Sequence, residues 1–484
     1  MSRRVQYFAP PRPRSGSTLE DQGSPPPPLP QLGTILYRGS VPPTKGEWLG
    51  IEWDDPSRGK HSGTYDKTGV RYFETSCSGG RVEGAGSFLR PNAPGLIVEG
   101  KSFRQAFEAK YLGGASVIDQ ELETNDPTTS TSQFYKTSSN FEVEVVLSDK
   151  VAARFRHLSR LREAGLEWEA LSRAFDVAGE AGVAAIREFG AKLSGLETLN
   201  LSCTMLSSLE EVQLIADSLP KLKVMSLNSN RFDPIRSSIV LPGFEKLSIL
   251  KLNNTLLSWT ELVHVSPSLP NLVELEFGFN RLANLVAETR QPIQLPKLEI
   301  LNLESNHLSD WKDVVRAACD LPHLKTLVLA SNRFKELVLP STSSSPAVLR
   351  QLRHLSLSSN LLSSWSKTID DLGASTPSSF PALSSLDLAD NPLEPPLSTP
   401  NTSTISESTS REARQVETRL LVIARLGFLD MLDKTPITAV EREDAERFWI
   451  KQVSTGKGEA REEMTGWARA RLDYLETNLS RANH

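Results

Sequence analysis

The densest chemistry in this chain is a five-residue run, Gly59-Lys60-His61-Ser62-Gly63. Two glycines four apart allow a tight loop, and such a loop presents a cation and an imidazole side by side. Trp48, Phe73 and Phe88 lie nearby in sequence, within the runs Gly46 to Pro56, Val70-Arg-Tyr-Phe73 and Gly86-Ser-Phe-Leu-Arg-Pro-Asn92. A cation and backbone donors beside aromatic rings suit an extended acidic peptide that ends in a free carboxylate and a terminal aromatic residue. The same residues also suit a small barrel whose glycines only turn the chain and whose Lys60 is solvated. On chemistry alone the two readings stand level. Residues 33–92 hold eight Lys/Arg against seven Asp/Glu, so any pull on an acidic partner is local and not a whole-domain field.

Other candidate chemistry is weaker. Gly95-Leu-Ile-Val-Glu-Gly-Lys-Ser102 matches the phosphate-loop pattern letter by letter. A phosphate cradle needs a buried strand before it and small residues inside it, so that N–H groups converge on the anion. Here Pro91, Asn92 and Pro94 precede the match, and Leu96, Ile97 and Val98 favour extension. A nucleotide-driven enzyme would rest on this run alone. The seven His show no pairing at metal-ligand spacing, and His307 and His323 read as surface residues. No Ser or Cys can be matched with a base and an orienting acid. The expectation is a protein that is not an enzyme and that holds no cofactor and no metal.

The background fits that view. Of 484 residues, 38% are hydrophobic and 23% charged, with a net charge of −5, which argues against a nucleic-acid binder working by bulk phosphate attraction. Cys77, Cys203 and Cys319 are too few and too scattered for a disulfide framework, so a reducing compartment is expected. The first residues lack an apolar run of about 7–15, and no apolar stretch of about 18 occurs, so neither export nor membrane insertion is expected.

These residues need elements to position them. Residues 1–32 form an N-terminal segment whose stretch 9–30 is dominated by Pro, Ser and charge and reads as unpacked. Between 33 and 92, strand candidates at 32–37, 48–53, 69–73 and 87–90 alternate with turns, and eleven glycines point to a compact β-domain. Residues 93–150 read as a helix over 100–113, with Phe103, Phe107 and Tyr111 on one face, followed by a Ser/Thr-rich linker over 125–140. Helical patterning returns from Ser148 to about Leu193, through Val151, Phe155, Leu158 and Leu161.

Within 151–400 the motif Leu-x-x-Leu-x-Leu-x-x-Asn recurs eight times, opening at Leu196, Leu222, Leu247, Leu272, Leu298, Leu324, Leu352 and Leu383. The closing Asn stands at six of the eight, with Thr204 and Thr255 in the other two. Each unit offers a short strand whose Leu side chains point inward, and one unit alone cannot bury its apolar face, so the units must stack. The pattern is that of a leucine-rich-repeat solenoid, with Trp259, Trp311 and Trp365 packing its outer helices. Strand residues alternating with the buried Leu line the inner face; Lys251, Glu274, Glu276, Asn302 and Glu304 are the candidates for protein contact there. Arg411 to Lys434 reads as an amphipathic helix within a helical cap over 401–452, and 453–484 as a charged, solvated helical tail.

The Gly59–Gly63 run and its flanking segments resemble a CAP-Gly domain, the microtubule-associated module that recognises acidic carboxy-terminal tails. His61 at the family's Asn position, and leucine-rich repeats following, make the chain similar to the tubulin-folding cofactor E family. Three departures stand out: Ser62 replaces the family's Asp, Asp66 to Gly69 is longer, and Arg3 to Gln6 supplies the first strand with an insertion after it. The family usually finishes with a ubiquitin-like domain, for which the chain leaves no room before His484. The resemblance implies a multidomain fold, a small all-β CAP-Gly barrel followed by an α/β leucine-rich-repeat solenoid with a helical C-terminal cap. It implies α-tubulin and other tubulin-folding cofactors as partners, a cytoplasmic, cytoskeleton-associated location, and a role in assembling or dissociating the α/β-tubulin heterodimer. The tail would be held by Trp48, Gly59, Lys60, His61, Gly63, Phe73, Phe88 and Arg90. No nucleic acid and no membrane is implied. The alternative is a microtubule-binding adaptor whose repeats hold a different protein, although such adaptors bring a coiled coil and no sustained heptads occur here.

Overall fold

Leu49, Ile51 and Trp53 alternate along one strand and bury their side chains on one side of a five-stranded antiparallel sheet. The computed structural model describes residues 3–8, 29–77, 80–81, 84–111, 134–136, 142–144, 158–176, 179–287, 291–337, 349–394 and 407–482. The Pro-rich stretch 9–28, most of the expected linker, Val151, Phe155 and the segment 395–406 lie outside these residues. The chain divides into two units, Met1–Leu257 and Ser258–His484.

In the first unit the sheet order is Gly86–Leu89, Glu47–Trp53, Gln31–Ser40, Arg4–Tyr7, Leu96–Ile97. The N-terminal strand expected at 3–6 is therefore present, pairing Val5 with Gly33. One face buries Val5, Leu49, Ile51 and Trp53, with Tyr7, Ile35, Leu89, Leu96 and Val98 packed around them. Strands Glu163–Gly165, Thr198–Asn200, Val224–Ser226 and Ile249–Lys251 then stack in parallel.

The helical reading of 148–193 is wrong for its middle. Residues 163–165 and 171–173 are strands, and among the described residues of this stretch the α-helix is Glu180–Lys192. Leu161-x-x-Ala164-x-Leu166 is a degenerate repeat, with Ala in place of the central Leu. The expected helix at 100–113 is Phe103–Tyr111, and its Phe103 and Phe107 rings meet Phe189 at 5.8 and 5.6 Å. Residues Phe134–Lys136 and Glu142–Glu144, assigned to a linker region in the sequence reading, form an antiparallel pair.

The β-domain is fastened to the first coils by several contacts. Strand Lys101–Ser102 pairs in parallel with Leu171–Arg173, and Gly100 lies so close that a Cβ there would sit 2.3 Å from the Ala170 carbonyl. Gln6 Nε2 donates to the Trp168 carbonyl at 2.7 Å. Arg4, fully buried, grips Asp54 through two nitrogens at 2.7 and 2.5 Å, and Arg231 of the second repeat comes within 4.0 Å of the same carboxylate. Burial would raise the Asp54 pKa, but the Arg4 charge and hydrogen bond, with Arg231 behind them, hold it below the ordinary carboxylate range.

In the second unit, strands Glu274–Glu276, Ile300–Asn302, Thr326–Val328, His354–Ser356 and Ser385–Asp387 stack in parallel and in register. Trp259, Trp311 and Trp365 are buried where each coil turns into its outer helix, as expected. Buried Asn side chains join the coils: Asn332 Nδ2 donates to the carbonyls of Leu303 and Leu329, and its Oδ1 accepts from the Leu308 N–H.

The cap differs from expectation. The helix is Glu407–Arg425, and Leu429 and Leu432 leave it; Met431–Leu432 is a further parallel strand beside Ser385–Asp387. Ala439–Ser454 in the expected cap and Gly466–Ala482 in the expected tail are helices, as read, but the tail is not simply solvated: Met464, Ala468, Leu472 and Leu475 are buried, as are Ala445 and Trp449. Buried Arg425 pairs there with Asp370 and Glu459, both at 2.6 Å, between the rings of Trp365 and Trp449. Charged side chains cover the outside of these helices, which hides their apolar positions from a composition reading.

Candidate functional site

The sheet face opposite the buried core carries the aromatic groups. In the register of the sheet Gly39 lies opposite Trp48, Tyr37 opposite Gly50, and Gly50 opposite Phe88. Residues facing one another across an antiparallel pair project to the same side, so Tyr37, Trp48 and Phe88 share this face. Gly50 leaves room there: a Cβ on it would sit 2.4 Å from the Phe73 ring. Phe88 is the hub, with ring centroids of His61 at 4.8 Å, Phe73 at 5.4 Å, Tyr72 at 5.7 Å and Tyr65 at 6.2 Å. Tyr37 extends the group through Tyr72 at 5.1 Å.

The glycine loop closes one side. Gly59 needs to be Gly, because a Cβ would fall 1.8 Å from the Gly84 carbonyl. Gly63 adopts φ +92° and packs its α-carbon against the Phe73 carbonyl. The N–H groups of Lys60 and His61 donate to the Gly86 carbonyl at 2.7 and 3.2 Å, and the Gly63 N–H donates to His61 Nδ1 at 3.1 Å. These donors fasten the loop to strand Gly86–Leu89 and are spent there, so the loop offers a ligand its side chains more than its backbone. Ser62 has a job of its own: its Oγ accepts from the Gly84 N–H at 3.1 Å. Lys60 is exposed and makes no ion pair among the described residues. Burial first, then the neighbouring Lys60 charge, outweigh Asp66 and hold the His61 imidazole below its ordinary value.

Trp48 is half-buried, its Nε1 donating to Thr44 Oγ1 at 2.7 Å, and the Arg90 guanidinium lies 3.8 Å above its ring. Arg90 also donates to the Glu47 carbonyl at 3.0 Å. Phe73, expected among the residues that hold the tail, is 7% exposed and forms the floor beneath the other rings. Sequence reasoning missed Tyr37 and Tyr65 and gave Tyr72 no role. Tyr72 stands in the Val-Arg-Tyr-Phe run and could have been found. Tyr37 could not, because a register shift between Ile35 and Tyr37 puts it on the face that simple alternation denies it.

The phosphate-loop match is not a cradle. Leu96–Ile97 pairs with the first strand, Lys101 is paired with Glu169 at 2.9 Å, and the helix begins only at Phe103. Among the described residues there is no group of three or more potential metal ligands, and no helix is long and apolar enough to cross a membrane. On the repeat face, Glu276 lies beside Asn302 in register, and Asn302 Oδ1 accepts from the Glu304 N–H at 2.9 Å. Glu274, Glu276, Asn302 and Glu304 are all half-exposed, as is Lys251 on the first unit.

Residues 26–94 match the CAP-Gly domain family. Over 426 residues the chain is 30% identical to tubulin-specific chaperone E of Homo sapiens, covering 85% of this chain and 68% of that protein. It is 26% identical to tubulin-folding cofactor E of Arabidopsis thaliana, over 87% of this chain and 71% of the relative. Among solved structures it is similar to the leucine-rich repeat domain of APL1B, at 18% identity and a TM-score of 0.27, covering 50% of this chain and 58% of that one.

Proposed function

The chain belongs to the tubulin-specific chaperone E family, also called tubulin-folding cofactor E, and from that membership we propose that it is a non-enzymatic folding cofactor for tubulin. It binds α-tubulin at two places and takes part in assembling or dissociating the α/β heterodimer, together with other folding cofactors, in the cytoplasm and at the cytoskeleton. The acidic α-tubulin tail lies on the aromatic face of the β-domain. Lys60 meets its carboxylates, Trp48 and Phe88 flank its apolar atoms over the Phe73 floor, and Arg90 presents a stacked guanidinium at the edge. Gly59 and Gly63 hold the loop shape, and His61 ties it to Phe88. The tubulin body rests on the repeat strands of the second unit at Glu274, Glu276, Asn302 and Glu304, with Lys251 a separate contact on the first unit.

The observation that carries this reading is the exposed, unpaired Lys60 next to a hub of five aromatic or imidazole rings. A solvated turn lysine needs no such platform, whereas a cation beside a π surface suits an anionic peptide with an aromatic end. The test is incubation of the full chain with native tubulin, followed by size-exclusion chromatography. A folding cofactor yields a complex holding α without β, and Lys60→Ala reduces its amount by about tenfold at unchanged melting temperature. Recovery of intact heterodimers only would mark an adaptor, and an unaffected Lys60→Ala complex would remove Lys60 from the contact.

A further inference from the structure

The turns that follow the strands of the second unit carry a set of charges that neither the ladder nor the groove uses. One residue after the ladder asparagine, three consecutive coils place Arg281, His307 and Arg333. The coils are tied at this point: the His307 N–H donates to the Leu282 carbonyl and the Arg333 N–H to the Leu308 carbonyl, both at 2.8 Å. The three residues therefore stand at the same position of neighbouring coils, about 4.8 Å apart, as adjacent strands are, with Arg281 alone of the three in the left-handed region at φ +59°. Among the described residues no carboxylate pairs with any of them. Burial, then the charges of Arg333 and Arg281, push the His307 imidazole below its ordinary value, so like charges are held together with no counter-ion. Such an arrangement disfavours folding and stabilises nothing within the chain.

The ridge has apolar ends. Phe279 sits at φ +59° and is 49% exposed, where the other coils have Cys203, Ser229, Asn254, Ser305, Ser331, Ser359 and Asp390. A bulky ring in the left-handed region and in water is an outlier that packing does not explain. At the other end the column continues to Leu361, which is 46% exposed and whose N–H donates to the Phe334 carbonyl at 2.9 Å.

We propose that this ridge docks an extended acidic segment of a partner protein, with carboxylates on Arg281 and Arg333 and apolar flanks on Phe279 and Leu361. An extended chain presents same-side residues about every 6.8 Å, so two acidic side chains span the roughly 10 Å from the first arginine to the last. Arginine forks match carboxylates in two-point contacts. A nucleic acid is the poorer fit. Two arginines and a histidine whose charged form is disfavoured, in a chain of net charge −5 with Glu304 close by in sequence, do not make the broad basic field that a phosphate backbone needs. The ridge lies in the second unit and does not depend on the Lys60 loop.

Fluorescence anisotropy of the full chain with a labelled oligoglutamate of about eight residues, amidated at its C-terminus, tests this at about 50 mM salt. The amide removes the free carboxylate proposed for the Lys60 loop. Arg281→Gln with Arg333→Gln weakens binding at least about tenfold, Phe279→Ser weakens it less, and Lys at both arginine positions restores most of it, which separates charge from fold. Unchanged affinity in the double Gln variant would overturn the proposal. So would tighter binding of an oligouridylate of equal charge through the same two arginines.

Discussion

His61 makes two contacts at once, and both depend on its charge. Its Nδ1 accepts from the Gly63 N–H while its ring rests 4.8 Å from Phe88, and a nitrogen that accepts must be unprotonated. Its folded pKa lies below the ordinary 6.5, so the stability this neutral ring contributes is fully present above the unfolded value and is lost as pH falls through the folded one. Hydrogen exchange at the Gly63 amide, corrected for intrinsic rates, is expected to quicken as pH falls below the ordinary 6.5. His61→Asn removes that dependence; a flat profile in the unmutated chain would show that the imidazole does not hold the turn. At this scale the sequence was legible where residue type alone decides. Gly59, Lys60, His61, Gly63 and Phe88 are where their spacing put them. Phe73 and Tyr37 were not legible, because burial and a strand irregularity decide their roles, and both depend on residues distant in sequence.

The elements most readable from sequence are the ones whose chemistry repeats. Leu inside and a hydrogen-bonding Asn or Thr at the turn recur in every motif coil, so all eight motif strands fall where the motif places them. The Glu163–Gly165 strand escaped notice because Ala164 replaces the central Leu and a helix-bearing segment separates it from the next opening Leu. Asn332 shows what the ladder contributes. Its amide serves two buried carbonyls and one buried N–H, at 3.0 to 3.1 Å. Leaving such groups unsatisfied costs about 1–3 kcal/mol each, so Asn332→Ala is expected to destabilise the second unit by about 3 kcal/mol, since the groups relax and recover part of the loss. Asn332→Thr is expected to cost less, because Thr255 Oγ1 already satisfies the Leu252 carbonyl of its own coil at 3.0 Å. The shift of the denaturant midpoint measures both; equal midpoints for Ala and wild type would mean that water replaces the ladder.

At the scale of the whole molecule, sequence reading set the β-domain and the repeats apart as separate modules, and the first unit does not keep them apart. Arg4, Asp54 and Arg231 come from the first strand, the end of the third and the second repeat, and a partly buried triad around a fully buried guanidinium is intolerant of losing its one anion. Asp54→Asn is expected to cost about 3–5 kcal/mol and to lower hydrogen-exchange protection on both Gln31–Ser40 and Thr198–Asn200 together. If the repeat strand kept its protection while the β-domain lost its own, the two would be independent bodies.

The Arg425 cluster imposes an order on manufacture. A ribosome delivers Asp370 and then Arg425 well before Glu459, the second carboxylate on Arg425, and Thr465, whose hydroxyl donates to Asp370. Until those last helices emerge, a guanidinium destined for a dry interior has one carboxylate beside it and its place between Trp365 and Trp449 is unfinished. A message cut short before the codon for Glu459 would therefore yield a nascent product whose end cannot seal, exposed to proteolytic clearance although every leucine coil had been made.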